Sequence, residues 1–97
     1  MPSKTSVGRA LRLARHLAAK SQDDMTVVSS RTFVSSIERG LKSPTIEKLS
    51  QIGDALHVDA AAIVVVAALL EVKNREAKMA EICAIAGRIL SEDVNAR

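Results

Sequence analysis

An all-α domain is predicted for this chain, on three observations. Apolar residues recur at three- and four-residue spacing through most of the sequence. The Val/Thr/Tyr alternation that builds strands is missing, and Gly and Pro are scarce, four and two in 97 residues. That length suits one domain with a short appendage. With no Trp, no Tyr and a single Phe, the core must be aliphatic.

The elements follow in order. Ser6 can cap a first helix, in which Val7, Ala10, Leu11, Ala14, Leu17 and Ala18 form one apolar stripe. Arg9, Arg12, Arg15 and His16 fall largely off it. In "SQDDM", Ser21 and Asp24 resemble a capping box, which opens a second helix. That helix must be short, because Val27 and Val28 are weak helix formers and Ser29-Ser30 interrupts. Ser30 is the natural N-cap of a third helix and Gly40 its left-handed terminator.

At about 100° per residue, this third helix separates Phe33, Val34 and Ile37 from Arg31, Thr32, Ser35 and Ser36. A solvated face usually favours Glu and Lys over Ser and Thr, which are poorer helix formers. Something other than water therefore sets that choice. Pro44 stops continuation, and Thr45 caps a fourth helix with Ile46, Leu49, Ile52, Gly53 and Leu56 on its inner face. His57 ends that helix, and Asp59 caps a fifth running through Ala60–Leu70.

Val65, Ala68 (or Leu69), Val72, Met79, Ile82, Ala86 and Ile89 approximate a heptad seam broken by Arg75, and beyond residue 70 the candidate contact residues are Val72, Met79, Ile82, Cys83, Ala86, Ile89 and Leu90. Glu71 and Arg75 are spaced for an i,i+4 pair. Asn74 marks either a bend or a break, so one long helix or a separate sixth over about Glu76–Leu90 are both open. The seam exceeds what a small five-helix core covers easily. It is read as a subunit contact, the other possibility being a helix folded back over its own core.

Charge is lopsided. Residues 1–48 hold nine Lys/Arg against four Asp/Glu, leaving +5, whereas residues 49–97 hold five against seven, leaving −2. A basic front half suits a polyanion such as nucleic acid. Catalysis is not expected. His16 and His57 lack an acid, Cys or metal-ligand companion at useful spacing, and there is no glycine-rich phosphate loop. No cofactor, metal or small-molecule ligand is implied. Cys83, the lone cysteine, excludes an internal disulfide and reads as inert on an apolar stripe.

The longest apolar run, Ala60–Leu70, is eleven residues against the roughly 20 that span a bilayer. "MPSKTSVGRA" lacks the apolar core of a signal peptide. A cytoplasmic, nucleoid-associated protein with no membrane partner is expected.

The segments "LRLARHLAAKSQDD" and "SRTFVSSIERGLKSPTIEKLSQIGDALHV" resemble the XRE family of phage-repressor-like (Cro-like) helix-turn-helix regulators. The resemblance covers most of residues 7–70. It implies a five-helix lambda-repressor-like DNA-binding domain over residues 1–70, followed by a C-terminal helix within 71–97 that serves oligomerisation. It further implies that Gln22 bonds a backbone phosphate, Ser30 caps the recognition helix, and Arg31, Thr32, Phe33 and Ser35 occupy reading positions. Arg39 and Lys42 would follow near the phosphate strand, with Glu38 paired to an arginine of the first helix. Ser36 joins the set as a small hydroxyl on the same polar face; for Ser35 and Ser36 exposed filler is the plainer alternative. Phe33 reads either as a core-rim residue or as a contact to a thymine methyl.

Two departures stand out. The connection "MTVVSS" is shorter than usual and has no Gly, and Ala19 and Lys20 stand where Gly and a large aliphatic are typical. The expected function is a sequence-specific, homodimeric transcriptional regulator on double-stranded DNA, with a (pseudo)palindromic operator. The alternative is a protein-interaction adaptor, or an antitoxin-type partner-binding protein, on the same fold.

Overall fold

The computed structural model describes residues 1–95, so the last two residues of the expected 71–97 segment lie outside it. The chain is all-helical. Helix α1 spans Lys4–Leu17, a 3-10 segment spans Asp23–Val27, and α2 spans Arg31–Glu38. These are followed by α3 over Ile46–Leu56, α4 over Ala60–Leu70 and α5 over Arg75–Asn95.

Local chemistry sets most of these boundaries. Ser30, Thr45 and Asp59 accept hydrogen bonds from the backbone N–H groups of Phe33, Lys48 and Ala61, satisfying donors that a helix start leaves free. At the start of α1, Ser3 rather than Ser6 is the cap, its Oγ accepting from the Ser6 N–H at 3.1 Å. The helix thus begins earlier than expected, and Ser6 is buried in its first turn. The Ser21/Asp24 capping box forms in both directions, at 2.7 and 3.2 Å. It opens a 3-10 segment, not the α-helix expected there, consistent with the β-branched Thr26-Val27-Val28 run that follows.

Three helix ends share one geometry, that of α3 at His57 (φ +57°) and two others. After α2, Gly40 sits at φ +76°, with the Gly40 N–H on the Ile37 carbonyl and the Leu41 N–H on the Ser36 carbonyl. After α1, Ala19 adopts φ +56°, with the Ala19 and Lys20 N–H groups on the carbonyls of His16 and Arg15. All three are left-handed terminations. Those at Ala19 and His57 place a Cβ where glycine is the unstrained residue.

Helices α1 to α4 enclose the core. Leu11, Met25, Val34, Ile37, Ile52 and Ile63 are its largest fully buried side chains. Gly8 permits the closest crossing: a Cβ there would press on the carbonyl oxygens of Ile37 and Glu38, so α1 and α2 meet backbone to side-chain-free backbone. Not every expected core residue is inside. Leu17 and Ile46, each at a helix end, are exposed.

The last third departs from the other four helices. Helix α4 ends at Leu70, and Asn74 caps α5, accepting from the Ala77 N–H at 3.0 Å. There are therefore two helices, and α5 runs five residues beyond the expected Leu90. The Glu71–Arg75 pair does not form, since the break separates them; Glu71 instead accepts the Ser3 N–H at 2.8 Å. That bond holds its carboxyl below the usual range. Helix α5 does not fold back over the core. It touches mainly α4, and the Cα radius of gyration is 14.8 Å, against about 12.5 Å for a compact chain of this length.

Candidate nucleic-acid interface

The site is built on α2. Its buried arc runs from Ser36 through Phe33 and Ile37 to Val34, and its outward arc carries Arg31, Thr32, Ser35 and Arg39. Arg31, Ser35 and Arg39 follow one another at i,i+4 spacing, so they line up along one side of the cylinder. Arg31, Thr32 and Arg39 are exposed and Ser35 is half-exposed.

Ser36 is a correction. It is 7% exposed, inside the packed arc, and cannot present its hydroxyl to a ligand. The arc of α2 that packs is wider than its apolar side chains alone mark. Phe33 lies half-buried against the core, with the Lys42 Nζ 5.6 Å from its ring centroid. The ring is thus a core-rim residue whose outer face a cation covers.

Arg31 is 65% exposed on its side chain, and its Nη1 stands 3.4 Å from Asp23 Oδ1 on the 3-10 segment. An exposed pair at that distance is worth little, about 0–1 kcal/mol. The guanidinium is oriented outward and can exchange this partner for another acceptor. Asp23 and Arg31 lie eight residues apart, a separation that carries no periodic signal of the contact.

Behind this face lies a buried clamp. Arg15 Nε and Nη2 donate to Glu38 Oε2 and Oε1 at 2.8 and 2.9 Å, and Arg15 Nη1 donates to the Lys20 carbonyl at 2.9 Å. Gln22 Nε2 donates to Glu38 Oε1 at 3.2 Å. Burial pushes the Glu38 carboxyl up, but the bonds from Arg15 and Gln22 outweigh it and hold it below the ordinary range. The same pairing raises Arg15.

The expected pairing of Glu38 with a first-helix arginine is therefore present, and Arg15 is the partner. Gln22, expected on a phosphate, donates to Glu38 in this structure and so ties the start of the 3-10 segment to the end of α2. A second tie joins α3 to the turn before α2, where Lys48 Nζ donates to the Val28 carbonyl at 3.0 Å. Ser30 stands at the helix start as its cap, and Lys42 is exposed just beyond its end.

Of the residues expected at a subunit contact, Met79, Cys83, Ala86, Ile89 and Leu90 are exposed, and Val72 and Ile82 are half-buried. Cys83 is a free, accessible thiol, not the sheltered one its apolar neighbours suggested. Among the described residues no cluster of His, Cys, Asp and Glu could hold a metal ion, and no single helix is long and apolar enough to cross a membrane. The chain matches no protein-family profile, no curated protein and no solved structure.

Proposed function

We propose that the chain is a sequence-specific, homodimeric DNA-binding transcriptional regulator with a lambda-repressor-like helix-turn-helix domain of the XRE type. In this reading α2 is the recognition helix and lies in the major groove. The observation that carries it is the outward arc of α2, where Arg31, Thr32, Ser35 and Arg39 are free of the protein's own core.

Chemistry supports the assignment. A guanidinium donates two bonds to guanine O6 and N7, and small hydroxyls bond bases or phosphates at close approach. Arg39 and Lys42 add the sequence-independent attraction to phosphate. The clamp of Arg15, Glu38 and Gln22 fixes the angle of α2, which base reading requires. One such helix covers few base pairs, so two copies on half-sites about 34 Å apart supply selectivity. The apolar seam of α5 is the proposed subunit contact.

Selection of fragments from genomic DNA by the purified protein tests this. Enrichment of a (pseudo)palindromic motif, with retention falling steeply as salt rises, is the expected result. A second reading, a protein-interaction adaptor, draws on the 3-10 segment that replaces a full helix before α2. Failure to enrich any motif at low salt would favour it.

A further inference from the structure

Helix α4 contains no charged or polar residue from Ala60 to Leu70, yet only Ile63 and Ala67 are buried. A helix that is apolar all round belongs inside a core. Here its outer side is open, and with α1 it forms a groove lined by Leu13, Leu17, Ala62 and Val66 over a floor of Ala10 and Ile63. Leu13, Leu17 and Val66 are 49, 84 and 36% exposed. Among the described residues none covers this surface, and its lining is almost wholly carbon.

We propose that this groove receives α5 of a second copy, and that the two copies exchange these helices reciprocally about a two-fold axis. The inference rests on α5 being the subunit contact and adds where that helix seats. Area is the first argument. A 21-residue helix is about 31 Å long, and a third of its girth covers on the order of 400 Å². Stable pairs bury about 800 Å² per partner, so α5 packed only on its copy falls short. Seating each α5 in the opposite groove uses both uncovered apolar surfaces, and a two-fold axis makes every such contact twice.

Exposed apolar side chains supply the second argument. Leu13, Leu17 and Val66 line the groove, and Met79, Ile85, Ile89 and Leu90 stand exposed along α5, so the exchange covers both sets at once.

Cys83 is the only cysteine and is exposed on α5, so single thiols introduced by Leu17→Cys, Ala62→Cys or Val66→Cys test the seating in the full-length protein. Under mild oxidation, at least one of these variants is expected to give a covalent dimer in which peptide mapping joins the new thiol to Cys83. Leu17→Glu, at an 84% exposed position, should leave the helical circular dichroism spectrum unchanged. It should raise the dimer Kd in sedimentation by at least about tenfold. Dimers linked solely through Cys83 to Cys83, or an unaltered Kd for Leu17→Glu, would overturn the inference. DNA binding measured in parallel separates the two ideas. Motif binding without the mixed linkage rejects the seating alone, and the mixed linkage without motif binding rejects the gene-control reading alone.

Discussion

Replacing Glu38 by Gln isolates the clamp behind α2. In the native chain its two carboxylate oxygens accept from Arg15 at 2.8 and 2.9 Å, and the side chains are 10 and 4% exposed. Two charge-assisted bonds of about 1.5–3 kcal/mol each are at stake. Removing one partner of a buried ion pair costs about 3–5 kcal/mol, because the other charge stays buried. Arg15 keeps the Lys20 carbonyl, and glutamine retains one acceptor, so the lower figure applies, about 3 kcal/mol.

Against a total stability of about 5–15 kcal/mol, that is a large fraction. At about 4–8 °C per kcal/mol for a domain of this size, the midpoint should fall by roughly 12–24 °C. Thermal unfolding followed by circular dichroism reads the midpoint, and urea unfolding reads the free energy. Arg15→Met, alone and combined with Glu38→Gln, completes the cycle, and the double variant should be at least about 2 kcal/mol better than the sum of the singles. Additive losses, or a single-variant cost under about 1 kcal/mol, would refute the clamp as the element that fixes α2.

Other expectations follow from the same coordinates. Because Glu38 has a lowered native pKa, its contribution is complete above the unfolded value of about 4.3 and is lost as pH falls through the native one. Urea midpoints should decline below about pH 4.3, and Glu38→Gln should flatten that decline. Gly8→Ala forces a Cβ onto the Ile37 and Glu38 carbonyls and should cost several kcal/mol, whereas Gly87→Ala, with open space around it, should gain about 0.5–1 kcal/mol; chemical denaturation of both separates crossing from propensity. Ala19→Gly relieves a left-handed alanine and should raise stability by up to about 1 kcal/mol. Its calorimetric midpoint checks that.

Much of the fold was legible because it is written locally. Ser30, Thr45 and Asp59 announce helix starts, Gly40 announces a stop, and aliphatic spacing marks the inner faces of α1 and α3. What escaped depends on how helices cross. A wheel shows which side of α2 is apolar, but the width of its packed arc is set by α1 and the 3-10 segment, and that width is what takes Ser36 inside. Gln22 and Asp23 find partners sixteen and eight residues away, separations that no period encodes. Ala19 shows a third case: the helix turns there whether or not glycine is present, because the Arg15 and His16 carbonyls need donors.

The most direct test of the central claim compares the wild-type protein with Arg31→Ala on the selected motif and on its single-base variants. Arg31 is exposed and makes only a surface ion pair with Asp23, so the variant should fold normally. Fluorescence anisotropy should show binding to the preferred motif weakened by about 1–3 kcal/mol, with discrimination lost at one guanine position and kept elsewhere. An unchanged preference at every position would contradict the account.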